Sequence, residues 1–353
     1  MNFTLHLTDA CNLDCAYCPA VKQPRRMSEE ILYAACDLAF AKGPGGGFCY
    51  FGGEPMLERE LILKGLARCK ELSEKLGKKT SSRMTTNGTL LDGKFLDKLK
   101  EYGTVIGLSF DGVAQDKCRR YKAGGGTFRI VEKNALLLLK KMPMSYAMMT
   151  ISPQAVGDYA ASVKYLYDLG FHRVIATIAY GSKVNWTDEA LEQLRGQLQE
   201  VAGLYSKVFS TGERFYFSPF DTKISGCIKD RSTADHCHLG FRQMPIDTDG
   251  KLYPCTQFIG LPEYCLGNVF DGIDTAKQAE LARRASTPEE CKECDLIRRC
   301  VNSCGCANRL QTGDENKVSP LQCTYERMLI ETADELAERL CSEFPDKFAR
   351  KFG

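Results

Sequence analysis

Along the first half of the chain two hydrophobic rhythms alternate. Short runs rich in β-branched and aromatic residues, at 2–7, 47–51, 82–86, 104–110, 144–151 and 173–180, predict strands. Between them apolar residues recur every three or four positions, at 28–42, 58–76, 92–102, 129–141 and 155–169, which predicts helices with one buried face. In the first of these Ser28 stands where an N-cap belongs, and Ile31, Leu32, Ala35, Leu38 and Ala39 share one side. Six strand–helix units in series imply parallel strands joined by right-handed crossovers. The expected fold is α/β, a partial (β/α)6 TIM-like barrel two units short of the closed eight. A longer helix at 187–209 and a short strand at 214–218 follow.

From Cys227 the rhythm breaks. Cysteines become dense, regular elements shorten, and Gly, Pro and Asp punctuate the chain as far as Cys323. The expected organisation is a barrel over 1–215, a small cysteine-rich domain held by metal over 216–325, and a C-terminal helical segment over 326–353. An amphipathic helix at 321–340 packs back on the body.

Composition narrows the chemistry. The 353 residues carry a net charge of +2, too balanced for a basic nucleic-acid footprint. The longer apolar runs, such as 135–139, are far short of the ~20 residues of a membrane span. Residues 1–7 lack the basic and apolar regions of a secretory signal, so a cytoplasmic location is expected. In that reducing compartment 18 cysteines point to metal rather than disulfides. No P-loop, GxGxxG or HExxH pattern is present. His236 and His238 flank Cys237, as solvated loop residues or as neighbours of a metal group.

Directly after the first strand, Cys11, Cys15 and Cys18 stand at CxxxCxxC spacing. A loop this short can wrap three irons of a 4Fe–4S cube and leave the fourth open, as catalysis at a metal requires. Three of four zinc ligands is the alternative. Position favours the iron cluster, because the loop lies at the C-terminal end of a parallel strand, where barrels place chemistry.

With Tyr17 before its last cysteine, this motif resembles that of the radical S-adenosylmethionine enzymes. The resemblance continues in Phe51-Gly52-Gly53-Glu54-Pro55, which matches the family's glycine-glycine-glutamate motif. It implies that Gly52, Gly53 and Glu54 contact the methionine amino group, an arrangement consistent with close backbone approach and a carboxylate facing an ammonium. The loops after strands three and four, Thr85-Thr86-Asn87-Gly88 and Ser109-Phe110-Asp111-Gly112, correspond to family loops that reach the ribose and methionine carboxylate. Asn87, Ser109 and Asp111 are therefore candidates for the cofactor. Arg119 matches an arginine that pairs with that carboxylate, with Arg120 competing and solvated helix charges as the alternative. Ile151 borders the adenine or belongs to the core.

Downstream, Cys237, Gly250 and Cys255, then Cys291-x2-Cys294-x5-Cys300-x3-Cys304, then Cys323, fit the pattern CX9–15GX4C…CX2CX5CX3C…C of the SPASM extension. Zinc-ribbon ligation is the alternative. The resemblance implies two auxiliary 4Fe–4S clusters, three in all with the first. One would be held by Cys227, Cys237, Cys255 and Cys304, the other by Cys291, Cys294, Cys300 and Cys323. Cys36, Cys49 and Cys69 are expected in the core. Cys265 and Cys306 are spare ligands or hydrogen-atom donors.

As a family member the chain would use a 5′-deoxyadenosyl radical from S-adenosylmethionine to abstract hydrogen from a substrate carbon. SPASM members mostly modify peptides or proteins, so maturation of a ribosomally made peptide, by a thioether or other crosslink, leads. Such an enzyme needs a low-potential donor such as flavodoxin or ferredoxin. Cys11 stands so near the start that an N-terminal leader-binding domain does not fit, so leader recognition would use a partner protein or the enzyme's own surface. The competing reading is an anaerobic sulfatase maturase that makes formylglycine. That family places an Asp after the cysteine of GX4C, whereas Cys255 is followed by Thr256, leaving Asp249 or Glu263 to substitute. A non-catalytic iron–sulfur or zinc scaffold leaves Gly52-Gly53-Glu54 unexplained.

Overall fold

Residues 2–6, Asn-Phe-Thr-Leu-His, are buried at every position but the first, as suits a strand covered on both faces. In the computed structural model, which describes residues 2–181, 183–229, 237–241, 244–284, 287–302 and 304–353, this segment is β1 (Asn2–His6). His236 lies outside the described residues. The following strands are β2 (Gly45–Phe51), β3 (Lys79–Thr86), β4 (Val105–Ser109), β5 (Tyr146–Ile151) and β6 (Arg173–Ile178). All are parallel. Helices α1 (Glu29–Ala41), α2 (Arg59–Leu76), α3 (Gly93–Glu101), the one-turn α4 (Gln115–Cys118), α5 (Phe128–Lys141) and α6 (Tyr159–Leu169) connect them. The expected N-cap is present: Ser28 Oγ accepts from the Ile31 amide at 3.2 Å. Helix α6 starts at Tyr159 rather than 155, because a 3-10 stretch beginning at Pro153 takes its first turn.

The sheet has eight strands in the order β7-β6-β5-β4-β3-β2-β1-β8, so it is larger than six units predict. Strand β7 (Tyr216–Phe217) follows α7 (Asp188–Thr211) and extends the β6 edge. Strand β8 (Met244–Ile246) comes from the cysteine-rich part and pairs in parallel with β1. The sheet thus runs across residue 215 and draws the second region onto the barrel. Its edge strands do not pair with each other, so the barrel is partial.

Beyond α8 (Ser218–Ile228) the elements are small: a two-residue hairpin of β9 (Gly267–Asn268) and β10 (Gly272–Ile273), then α9 (Thr275–Arg284) and α10 (Gly305–Thr312). Helix α11 (Pro320–Glu343), capped by Ser319, begins inside the cysteine-rich stretch and buries Tyr325, Met328, Leu329, Ala333, Leu336 and Leu340. It packs on α7 and α8, and α12 (Pro345–Phe352) ends the chain. Lys223 on α8 and Glu326 on α11 form a buried ion pair at 2.5 Å. Lys223 also donates to Arg299 O and Glu326 accepts from the Val301 amide, so this pair ties the cysteine-rich loop to both helices. Cys36 and Cys69 pack together between α1 and α2 in the core, and Cys49 is half-buried in β2. Among the described residues no helix is long and apolar enough to cross a membrane.

Candidate active site

The C-terminal ends of β1 to β6 open onto one cavity of about 420 Å³. Cys11, Cys15, Tyr17 and Cys18 line it from the loop after β1, Gly52 to Glu54 from the loop after β2, and Asn87 and Ser109 from the next two. The cysteine loop is fixed by backbone bonds before any metal is considered. The Gly53 and Glu54 amides donate to Thr8 O and Ala10 O at 2.7 and 2.8 Å, and those of Asp14 and Ala16 to Arg120 O and Cys118 O at 2.8 and 2.9 Å. This is where the two glycines act: a Cβ on Gly53 would lie 2.0 Å from Ala10 O, and Gly52 has φ +121° with Thr8 O 2.5 Å from its Cβ position. Their close approach is to the cysteine loop itself.

Glu54 is buried, and three donors satisfy it: the Thr86 hydroxyl at 2.6 Å and the Asn87 and Met56 amides at 2.7 and 3.0 Å. Burial pushes its carboxyl above the ordinary carboxylate range, against the pull of those bonds. Asn87 Nδ2 donates to Asn12 Oδ1 at 2.8 Å and lies 4.0 Å from Cys11 Sγ, so it bridges two loops of the wall. Burial likewise raises the Cys11 thiol, and the Cys15 thiol to about 11. Metal ligation would favour their thiolate forms.

Asp111 sits behind the wall. Its carboxylate takes a bidentate bond from Arg119 (2.9 and 3.1 Å), one from the Tyr17 hydroxyl (2.6 Å) and one from the Thr150 amide (2.9 Å). Arg119 also stacks on Tyr17, 5.4 Å from the ring centroid, and reaches the cavity. Burial opposes its charge, but Asp111 and Tyr17 outweigh it, and the guanidinium stays charged. Ile151 is buried in the core, and β5 presents Met148, Met149 and Thr150 to the cavity instead. The sequence reading passed over Asn12, Thr86, Tyr180 and Gln257. Thr86 was within reach, two residues before the glycine of Thr85-Thr86-Asn87-Gly88, as was Asn12 inside the cysteine loop; Tyr180 and Gln257 are brought in by chain folding.

Asp249 and Cys265, both considered for catalysis, line a different surface groove beside β9. Asp249 pairs there with Arg25 at 3.3 Å, and Cys265 Sγ donates to Gly267 O at 3.4 Å. Thr256 and Gln257, directly after Cys255, do line the cavity.

In the cysteine-rich region four thiols gather. Cys304 Sγ lies 3.3 Å from Cys306 Sγ, and hydrogen bonds link Cys237 to Cys304 and Cys255 to Cys306. Amides at the start of α10 point into this group: Gly305 donates to Cys237, and Cys306 and Ala307 to Cys304. Bonds from Cys306 lower the Cys255 thiol to about 7, and bonds from Cys237 and Cys306 lower Cys304 further. Next to this group His238 has φ +47°, the one positive value among described non-glycine residues. Cys227 stands elsewhere, exposed at the end of α8 beside Arg299. Cys291, Cys294 and Cys323 form a second set with Arg327 alongside, while Cys300 faces Glu326 and Lys223.

A family model described as the radical SAM superfamily matches residues 5–194, and one described as an iron–sulfur cluster-binding domain, SPASM, matches residues 237–295. A cysteine-type anaerobic sulfatase-maturating enzyme of Clostridium perfringens (strain 13 / Type A) is 25% identical over 329 residues, spanning 84% of this chain and 86% of that protein. The fold superposes with a TM-score of 0.83 on native anSMEcpe with bound AdoMet and Kp18Cys peptide, at 22% identity over 97% of this chain and 99% of that one. It superposes with a TM-score of 0.64 on Streptococcus suis SuiB bound to precursor peptide SuiA, at 16% identity over 91% and 75% of the two chains.

Proposed function

Because this chain belongs to the radical SAM superfamily and carries a SPASM iron–sulfur domain, we propose that it oxidatively modifies a cysteine-containing peptide, forming a thioether or another crosslink. When bound, a 4Fe–4S cluster and S-adenosylmethionine supply the reducing electron and the carbon radical that removes a substrate hydrogen atom. Cys11, Cys15 and Cys18 would hold that cluster. Glu54 would receive the methionine ammonium, with Gly52 and Gly53 fixing the loop that aims it. Arg119, held by Asp111 and Tyr17, would meet the methionine carboxylate, and Asn87 and Ser109 would reach the ribose. Hydrogen abstraction requires that water be excluded and the target carbon held close, a task that would fall to this cavity wall. Two auxiliary clusters in the cysteine-rich region would make three, charged by a low-potential flavodoxin or ferredoxin. Peptides bound to SuiB and anSMEcpe support a peptide substrate.

The observation that carries the crosslinking reading is the cavity wall at Thr256. Where a sulfatase maturase would present a carboxylate, this chain presents a hydroxyl and the Gln257 amide. Of the carboxylates that line the wall among the described residues, Asp9 pairs with Arg25 at 2.8 Å, and Glu54, held by its three donors, is the one assigned to the methionine ammonium. The names of its sequence relatives favour a second reading, formylglycine formation. Incubating enzyme, S-adenosylmethionine and reductant with a Cys-containing peptide, then alkylating and fragmenting the product, separates the two. A sulfur-retaining product two hydrogens lighter, with its thiol blocked, is expected; an aldehyde at one Cys or Ser would overturn the crosslink in favour of formylglycine.

A further inference from the structure

The SPASM spacing accounts for seven thiolates, and two full cubane clusters ask for eight. Sequence position alone nominates Cys227 as the eighth. Cys227 lies exposed on the last turn of α8, with Arg299 as its neighbour, whereas the thiols of the group it would complete are half-buried. The group itself already holds four sulfurs, because Cys306 touches both Cys304, at 3.3 Å, and Cys255. The reason is local. Cys304 is the N-cap of α10 and Cys306 the second residue of its first turn, so a single helix start delivers two thiols to one place. Its free amides face the same sulfurs, donating to Cys237 and Cys304, which suits a cluster of anionic ligands.

We propose that Cys306, rather than Cys227, is the fourth thiolate of the first auxiliary cluster, together with Cys237, Cys255 and Cys304. This rests on the reading that the cysteine-rich region holds auxiliary 4Fe–4S clusters. The eight thiolates are then Cys237, Cys255, Cys304 and Cys306, with Cys291, Cys294, Cys300 and Cys323 for the second set. A site with four protein ligands is closed. A substrate thiol therefore has no coordination position there, and the first auxiliary cluster serves electron transfer rather than substrate capture. Cys306 is a ligand, not a hydrogen-atom donor.

The test uses the full-length chain with Cys11, Cys15 and Cys18 changed to Ala, which leaves only auxiliary iron, about eight atoms per chain at four per cluster. Cys227→Ala in this background should keep that iron and an unchanged electron paramagnetic resonance spectrum of the reduced clusters. Cys306→Ala should lose up to half the iron or shift the spectrum. Should Cys306→Ala fail to fold, Cys306→Ser keeps the size and a ligating oxygen; it should retain iron with displaced g values. Parental iron and spectrum in the Cys306 variants, or iron loss in Cys227→Ala, would overturn the assignment. A background protein that holds zinc and no iron would instead remove the cluster reading beneath it.

Discussion

The two thiol-bearing regions are built in opposite ways. In the barrel, three cysteines within eight residues ride on one loop, and backbone hydrogen bonds pin that loop to the loops after β2 and β4. In the cysteine-rich region, the gathered thiols come from residues 237 to 306, with two-residue strands and short helices between them. Backbone bonds such as Leu252 N to Gly267 O at 2.9 Å and Tyr253 N to Pro245 O at 3.0 Å hold the first of those segments, and side-chain bonds hold the later ones: Asn308 Nδ2 to Asn302 O and Glu315 O at 2.8 and 3.0 Å, Tyr264 to Glu315 at 2.7 Å, and the Lys223–Glu326 pair. The first site is preorganised by a sheet whose core stands without metal. The second, on the reading proposed above, would depend more on the clusters that bind its sulfurs, as small metal domains do.

The largest effect should separate the two sites by activity. Changing Cys11, Cys15 and Cys18 together to Ala should abolish S-adenosylmethionine cleavage and remove about four of about twelve irons per chain. Cys291→Ala should retain cleavage but give no product; both are read by chromatography of the cleavage products and of the peptide. Full product from Cys291→Ala would reduce the second region to a structural part.

Stripping iron with a chelator sharpens the contrast in dynamics. Hydrogen exchange followed by mass spectrometry should show protection lost through 244–312 while β1 to β6 keep theirs. Equal loss in both would mean that the barrel also needs its cluster to fold.

The joint between the regions comes next. Lys223→Met leaves Glu326 buried and uncompensated, which should cost about 3–5 kcal/mol in chemical denaturation. The double variant Lys223→Met, Glu326→Leu should recover most of it. A single variant as stable as the parent would show that α8 and α11 hold the cysteine-rich loop by other means.

The smallest effect belongs to His6 at the end of β1, whose pKa burial lowers from 6.5 to about 4. The unfolded chain takes up a proton near pH 6.5 while the native one resists until about 4. The His6 contribution is therefore present above 6.5 and lost as pH falls through that window, up to about 3 kcal/mol. His6→Phe should flatten the stability profile between those values; an unchanged slope would assign the acid lability elsewhere.

Periodicity and short-range spacing carried the barrel and its first site. The alternation of strand and helix rhythms gave β1 to β6 because each element's burial pattern is local. Cys11, Cys15 and Cys18 could be placed because a ligand set on one short loop is a property of consecutive residues. Gly52-Gly53-Glu54 and Asn87 were legible as motifs, although the partner of the glycines, the Thr8–Ala10 backbone, was not. Strand β7 was legible within 214–218, but β8 was hidden because three residues make no rhythm, and the pairing of the two with β6 and β1 depends on long-range contacts. The same holds for the Asp111–Arg119 anchor behind the cavity, the Lys223–Glu326 joint, and Cys306 in place of Cys227. In each, residues distant in sequence or turned by a helix start meet only once the chain has folded, and only the tertiary structure decides which sulfur or charge is within reach.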